Sequence, residues 1–169
     1  RDTAQGWQIL EGMDGHATAQ PGILLTVTVA DCIPVYLVAP AQRTIALLHA
    51  GWRGTAAGIL GHALGLLESA RRINPSDIVM HCGVGICGDC YEVGSEVMLG
   101  CGMSPTGAGP WHLDLRDCLV RQAAVHGVGH ISTSQWCSGH DQAHFYSHRA
   151  SRGRDGRMVA YLGLIDGSG

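Results

Sequence analysis

The sequence predicts a single α/β (mixed α+β) domain spanning residues 1–169, in which mixed β-sheets pack against helices. The chain is 46% hydrophobic and 15% charged, which suits one globular domain with a sizeable core. Short apolar runs of strand character are interspersed with longer stretches of helical periodicity. The two kinds of element do not alternate strictly along the chain, and this favours a mixed architecture.

Three strands are predicted in the first part of the chain. Residues 23–29 and 35–38 have the apolar sequences of buried strands, and residues 31–34 predict a break between them. Residues 40–43 form a predicted turn, and residues 44–48 form the returning strand. The turn places the second and third strands side by side in antiparallel orientation.

Helical periodicity is clearest over residues 56–73, where Leu60, Leu64 and Leu67 fall on one stripe. Thr55 is the predicted N-cap of this helix. The remaining predicted elements are a strand over 77–82, a helix start over 94–99, a loop over 100–110, a helix over 113–125, and strands over 130–136 and 157–164.

Composition and charge exclude several classes of partner. The net charge is −3, which argues against nucleic acid or an anionic membrane as the main partner. The apolar runs are too short to span a bilayer, and no signal-peptide pattern opens the chain. The 7 cysteines are an odd number, which is typical of reduced thiols in a cytoplasmic protein rather than a disulfide scaffold. We expect a monomer or small homo-oligomer.

Cys32 and His49 are candidate metal ligands because the predicted hairpin brings them together. With the turn centred on Ala41 and Gln42, Pro34 faces His49 and Cys32 lies diagonal to it on the same face. Diagonal side chains lie roughly 7–8 Å apart, and a metal ion with bonds of about 2.3 Å to sulfur and about 2.0 Å to nitrogen can bridge them. A buried cysteine beside a hydrogen-bonded histidine is the alternative interpretation of the same spacing.

Two motifs at this hairpin resemble those of the laccase-domain family, also called multicopper polyphenol oxidases. They are Ala30-Asp31-Cys32-Ile33-Pro34-Val35 and His49-Ala50-Gly51-Trp52-Arg53-Gly54. Further matches follow in family order at Gly83-Val84-Gly85-Ile86, Cys90-Tyr91-Glu92-Val93-Gly94, Leu113-Asp114-Leu115, Cys137, Phe145-Tyr146-Ser147-His148-Arg149 and Gly156-Arg157-Met158. Val84 departs from the pattern, which has proline at this position.

The resemblance implies a zinc-dependent purine nucleoside enzyme. Its expected activities are phosphorolysis of adenosine, inosine and methylthioadenosine, and deamination of adenosine, with purine nucleoside and phosphate as partners. Copper-dependent, laccase-like phenol oxidation is the alternative. The resemblance also implies a His, Cys, His ligand set, in which Cys32 is the thiolate and His49 the last histidine. The chain begins with Arg1, so we expect an N-terminal segment that carries the first histidine, with His16 as a less favoured substitute.

Four other residues are candidates for substrate binding. Arg53 precedes the long predicted helix, where free amide groups and the positive helix end favour an anion, so it is the candidate catalytic contact to phosphate. A surface arginine paired with a carboxylate is the alternative role for Arg53. Ser147 and Arg149 are second candidates from the C-terminal block. Asp31 is a candidate for orienting a ligand, or alternatively a turn-forming residue.

Two other functional classes fit parts of the sequence weakly. Residues 83–88 match Gly-x-Gly-x-x-Gly after a predicted strand, but the region near residue 105 is loop instead of the acidic strand end of a dinucleotide site. A metal-free hydrolase would use Cys32 as nucleophile and His49 as base, although the sequence indicates no third orienting group.

The histidines spaced four residues apart are predicted to be mostly solvated: His140, His144 and His148.

An iron–sulfur module is the strongest alternative from a different class. Cys82, Cys87 and Cys90 have the spacing that plant-type iron–sulfur proteins use with a distant fourth cysteine. Cys118 or Cys137 would supply that fourth ligand. Against this hypothesis, the residues that follow Cys90 match the nucleoside-enzyme family.

Overall fold

The computed structural model describes Gly6 and residues 8–165. Within these residues, nine strands and five α-helices follow one another along the chain. Their bounds are β1 Gly15–Thr18, β2 Leu24–Val29, β3 Ile33–Ala39, β4 Thr44–Ala50, α1 Trp52–Ala56, α2 Ile59–Arg71, β5 Val79–Cys82, β6 Glu92–Val93, α3 Ser95–Gly100, β7 Trp111–His112, α4 Leu115–Val125, β8 His130–Thr133, α5 His148–Ser151 and β9 Met158–Gly163. The longest described helix, α2, has 13 residues and is too short to cross a bilayer.

A five-stranded sheet of order β1-β4-β3-β5-β8 forms the centre of the molecule. Neighbouring strands in this sheet are antiparallel, except for the parallel pair β5 and β8. Two smaller antiparallel sheets pair β2 with β9 and β6 with β7. Mixed sheets packed against helices confirm the predicted fold class.

Both faces of the central sheet are covered at β3 and β4, which explains why these two strands are apolar almost throughout. On one face, Leu37 packs in a common core with Leu64 of α2 and Leu119 of α4. On the other face, Leu47 packs with Leu25 of the β2–β9 sheet. The predicted leucine stripe of α2 is confirmed, since Leu60, Leu64 and Leu67 are all buried.

The long predicted helix is divided into α1 and α2. Gly58 separates them with a φ of 76°, a left-handed conformation that strains residues with a Cβ atom. The prediction of Thr55 as N-cap is wrong, because Thr55 lies inside α1 and is fully buried. Gly51 is the residue that precedes α1 as its N-cap. Apolar periodicity continues across Gly58, so the pattern did not indicate the interruption.

The predicted break over residues 31–34 is shorter in the structure, because Pro34 lies inside β3. Pro34 faces His49 across the β3–β4 pair, which confirms the predicted register. Its carbonyl oxygen accepts a hydrogen bond of 2.9 Å from the N–H of Gly83. The chain bends at Asp31, whose φ is 79°. This bend sends β2 out of the central sheet to pair with β9.

Candidate functional site

Cys32 and His49 line one cavity of about 230 Å³ at the ends of β3 and β4. The two residues approach each other because β3 and β4 are antiparallel neighbours with Pro34 opposite His49. Both are partly buried. Polar and aromatic side chains complete much of the wall, namely Asp14, Asp31, Trp52, Arg53 and Tyr91.

The Cys32 thiol lies directly against Gly51. A Cβ atom on Gly51 would be 2.9 Å from Cys32 Sγ, so any larger residue would displace the thiol. Burial raises the pKa of Cys32, and the negative charge of Asp31 raises it further, whereas Arg157 lowers it. The free thiol therefore stays protonated at neutral pH, and a metal ion would have to displace this proton before Cys32 could act as a ligand.

The carboxylate of Asp31 is bound by two segments from the C-terminal part of the chain. Its Oδ1 accepts a hydrogen bond of 2.7 Å from the Ser138 hydroxyl. Its Oδ2 accepts one of 2.6 Å from the backbone N–H of Arg149. Asp31 is only 8% exposed, so both bonds lie in a largely water-free environment. They hold the bend that carries Cys32.

His49 is held by Asp14, which precedes β1. The His49 N–H donates a 2.7 Å hydrogen bond to the Asp14 carbonyl oxygen, and His49 Nδ1 lies 3.9 Å from Asp14 Oδ1. The His49 side chain is 34% exposed, so its ring is open to the cavity. Asp14 is not among the site residues predicted from the sequence. Its place beside His49 depends on the pairing of β1 with β4, which no local pattern indicated.

His16 lies on β1, where it faces Leu47, two residues before His49 on β4. Its Nε2 is buried and has no hydrogen-bond partner in the described part of the chain. Across Gly6 and residues 8–165, no group of three potential metal ligands includes Cys32 and His49. The third ligand of the predicted site therefore stays a prediction, from His16 or from a segment before residue 1.

Arg53 is the cation at the rim of the cavity. Its guanidinium carbon lies 4.6 Å from the centroid of the Trp52 ring, and its side chain is exposed. Arg53 lies in the first turn of α1, a helix of only 5 residues. Arg53 thus presents a positive charge to the pocket through its side chain, with little help from a helix.

The two candidates in the C-terminal block differ in environment. The Arg149 guanidinium carbon lies 5.1 Å from the centroid of the Tyr91 ring, and its Nη1 donates a 2.7 Å hydrogen bond to the Glu92 carbonyl. Ser147 is fully buried, and its hydroxyl oxygen accepts the N–H of Ala150 as the N-cap of α5. The Ser147 hydroxyl is therefore occupied by a helix cap, whereas Arg149 borders the wall formed by Tyr91.

The glycine motif of residues 83–88 packs against the bend that carries Cys32. A Cβ atom on Gly85 would lie 2.7 Å from the Asp31 carbonyl oxygen, and the next residue, Ile86, donates a 3.0 Å hydrogen bond to that oxygen. The chain then forms a short 3₁₀ turn, Gly88–Cys90, instead of an α-helix. These glycines serve close packing of two backbones, and the segment lacks the helix that a dinucleotide site requires.

A second group of ligand-type side chains lies beside the cavity. The potential donor atoms of Cys87, Cys90, Cys137 and His140 all lie within 4.8 Å of one another. The sequence indicated the first three as possible partners in a cluster. The sequence did not indicate His140 as a member of this group. His140 is exposed, as predicted, and its ring also lies among the three cysteines.

The other two cysteines of the iron–sulfur hypothesis lie elsewhere. Cys82 is fully buried in the core on β5, and this burial raises its pKa to about 12. Cys118 is buried on α4, where Arg121 Nη2 donates a hydrogen bond of 3.4 Å to its sulfur. The iron–sulfur alternative with four cysteines is therefore wrong about its ligand set, because the observed group contains three cysteines and one histidine.

Three comparisons identify the relatives of this chain. It is 40% identical over 164 residues to purine nucleoside phosphorylase YlmD of Geobacillus stearothermophilus, covering 90% of this chain and 60% of that protein. It is 37% identical over 123 residues to adenosine deaminase RL5 of an unknown prokaryotic organism, covering 72% of this chain and 43% of that protein. The crystal structure of YlmD from Geobacillus stearothermophilus matches with a TM-score of 0.86 at 39% identity, covering 92% of this chain and 62% of that chain.

The chain thus spans 60% of the length of the Geobacillus phosphorylase that it resembles. A family model described as multi-copper polyphenol oxidoreductase laccase matches residues 2–165, almost the whole sequence. This match includes both motifs of the β3–β4 hairpin and the segments that hold Asp31. The chain therefore belongs to the multi-copper polyphenol oxidoreductase laccase family.

Proposed function

We propose that this chain carries the Cys32–His49 part of a zinc-dependent purine nucleoside site. The proposed reactions are phosphorolysis of adenosine, inosine and methylthioadenosine, and deamination of adenosine. One observation carries the proposal: the thiol and the imidazole line the same cavity as Arg53 and two aromatic rings. The names of the relatives, a purine nucleoside phosphorylase and an adenosine deaminase, supply the substrate class.

The donor set fits zinc. A cysteine thiolate and a histidine imidazole are common zinc ligands, and a third protein ligand would still leave one position for a reactant. When bound, zinc supplies Lewis-acid character and a water that ionises near neutral pH. Phosphorolysis and deamination change no oxidation state, so we favour zinc over copper for this pair of reactions. Copper-dependent phenol oxidation is the alternative, and a measurement of the bound metal would distinguish it from the zinc-dependent reactions.

Arg53 is the proposed contact to phosphate. A guanidinium group offers planar, paired donors that match a phosphate oxygen pair. The sequence contains no lysine, so every side-chain cation apart from protonated histidine is an arginine. Arg53 lies on the wall that also contains Cys32 and His49, which would place the phosphate close to the sugar carbon that it attacks. The bond from that carbon to the base then breaks.

The Tyr91 ring is the proposed surface for the purine base. It lies on the cavity wall, and Arg149 beside it keeps a positive charge near the ring. A flat aromatic ring offers a purine both apolar contact and stacking. Asp31 acts on the reaction indirectly in this proposal, because it positions the bend that carries Cys32.

The test compares Cys32→Ala and His49→Ala in the full-length protein. Zinc content, inosine phosphorolysis and adenosine deamination are measured on the same preparations. We expect both variants to lose the two activities together with the zinc of this site. His62→Ala is the matched control, since His62 is exposed on α2 and does not line this cavity. Activity that survives in metal-free protein would overturn the zinc proposal and favour a Cys–His hydrolase.

Arg53→Lys tests the phosphate contact separately. Lysine keeps the positive charge but loses the paired donors. We expect a higher KM for phosphate in phosphorolysis and little change in adenosine deamination, which uses no phosphate. Equal losses in both reactions would show that Arg53 has another role.

A separate experiment distinguishes the two metals. Metal-free protein is reloaded with copper or with zinc, and phenol oxidation and phosphorolysis are then assayed.

A further inference from the structure

We propose that Cys87, Cys90, Cys137 and His140 form a closed structural Zn²⁺ site, separate from the cavity of Cys32 and His49. The four residues form two pairs with the same spacing, Cys-x₂-Cys and Cys-x₂-His. Two such pairs, brought together from distant parts of the chain, are the usual ligand pattern of structural zinc. This inference does not rest on the proposed nucleoside activity.

The geometry of the four donor atoms matches a tetrahedron around zinc. With bonds of about 2.3 Å to sulfur and about 2.0 Å to nitrogen, tetrahedral ligands lie about 3.5–3.8 Å apart. Cys87 Sγ and His140 Nδ1 are 3.7 Å apart. All four donors lie within 4.8 Å of one another, so small side-chain rotations would complete the tetrahedron.

A backbone donor supports a thiolate at Cys137. The N–H of Cys87 donates to Cys137 Sγ at 3.2 Å. A Cβ atom on Gly139 would be 2.9 Å from the Cβ atom of Cys90 and 3.0 Å from its sulfur. Only glycine therefore allows the two ligand pairs to approach this closely.

The chemistry of the donor set favours zinc over other occupants. The common iron–sulfur clusters use four cysteines, or two cysteines and two histidines in the Rieske type, so this group of three cysteines and one histidine favours zinc. Three thiolates and one imidazole are an established structural zinc set. Four protein ligands leave no open position, so this ion would stabilise the fold without binding a reactant.

The proposed ion would join two loops that border the cavity. Tyr91, which lines the cavity, directly follows Cys90. Ser138 directly follows Cys137 and donates its hydroxyl hydrogen bond to Asp31. A metal ion between these loops would fix the wall of the cavity and the bend that carries Cys32.

The first test uses the full-length protein with Cys32→Ala, which removes the thiolate ligand of the proposed catalytic site. The protein is purified under reducing conditions, and its metals are measured by mass spectrometry. We expect one zinc per chain in Cys32→Ala, and none after Cys90→Ser is added. Cys101→Ser is the matched control, because Cys101 is a free cysteine outside the group, and this variant should keep the zinc.

Two further variants address the possibility that Cys90→Ser does not fold. His140 is exposed, so His140→Ala should fold while it releases zinc to a competing chelator about tenfold faster or more. His140→Cys should retain zinc, because four thiolates also form a structural zinc site. After cobalt substitution, the Cys32→Ala protein should show the thiolate-to-metal absorption of three sulfur ligands.

Three results would overturn the proposal. The first is Cys32→Ala protein that folds without any bound metal. The second is stoichiometric iron with a brown colour, which indicates an iron–sulfur cluster. The third is zinc that His140→Ala retains as tightly as the unmodified chain does, which would exclude His140 as a ligand.

Discussion

The backbone N–H of Arg149 donates to the carboxylate of Asp31, 118 residues earlier in the chain. Asp31 has a φ of 79°, a conformation that asparagine also tolerates. Asp31→Asn therefore removes the charge while it keeps the backbone. The NH₂ group of asparagine would replace one of the two carboxylate oxygens, and this group would face a hydrogen-bond donor in place of an acceptor. We therefore expect a loss of about 1–3 kcal/mol in the free energy of unfolding.

Urea denaturation measures this change. Asp77→Asn is the matched control, because Asp77 is exposed and its substitution makes the same change in net charge. The control should differ from the unmodified chain by no more than about 0.5 kcal/mol. Equal losses in the two variants would attribute the effect to net charge and not to the hydrogen bonds of Asp31.

Gly51→Ala and Gly65→Ala should change stability in opposite directions. The new methyl group at residue 51 would meet the thiol of Cys32, whereas a Cβ atom on Gly65 in α2 would have no neighbour within 4 Å. We expect Gly51→Ala to cost about 1–3 kcal/mol through overpacking. Gly65→Ala should add about 0.5–1 kcal/mol, because alanine favours the helix. Thermal unfolding measures both, and a stabilising Gly51→Ala would contradict the described contact.

Thr55→Val should leave stability unchanged or raise it by about 1 kcal/mol. The Thr55 hydroxyl is buried without a hydrogen-bond partner among the described residues, and valine has the same shape without the polar group. Thr44→Val is the comparison, since the buried Thr44 hydroxyl donates a 3.0 Å bond to the Gln42 carbonyl. That variant should lose about 1 kcal/mol. Urea midpoints that change in the same direction would contradict this difference between the two hydroxyls.

Arg116→Lys should destabilise the chain by about 2–3 kcal/mol, because a lysine cannot reproduce the paired donors of a guanidinium. Arg116 is 6% exposed and donates to Asp114 at 3.0 and 2.8 Å. It also donates to the carbonyl oxygens of Ser134 and Trp136 at 2.9 and 3.0 Å. Urea denaturation should show a lower midpoint.

Arg121→Lys provides the control on the same helix, since Arg121 is exposed and contacts only sulfur atoms through its described hydrogen bonds. Its effect should stay within about 0.5 kcal/mol. Similar losses in the two variants would indicate a general effect of arginine on α4 and not the specific bonds of Arg116.

Local sequence was sufficient to predict the register of β3 and β4. The turn between them contains Arg43 in a left-handed conformation, with a φ of 45°, and still preserves the predicted pairing of Pro34 with His49. The centre of the turn fixes the register of a hairpin, because it decides which residues of the two strands face each other. The shared cavity of Cys32 and His49 was predictable for the same reason.

The cysteine and histidine group was only partly predictable, because it depends on contacts between distant segments. The spacing of Cys137 and His140 is visible in the sequence. Their position beside Cys87 follows from the parallel pairing of β5 with β8, which continues as an isolated bridge between Gly85 and Cys137. Parallel pairing joins strands through long connections, and no short sequence pattern identifies the partner.

The pairing of β2 with β9 has a consequence for the order of events during synthesis. Leu24 pairs with Gly163, so the strand before the bend has no partner until β9 has left the ribosome. Until then, one edge of β2 offers its free N–H and C=O groups to other nascent chains. A ribosome that stalls shortly before β9 would therefore release a product prone to aggregation, even though the β3–β4 hairpin is complete.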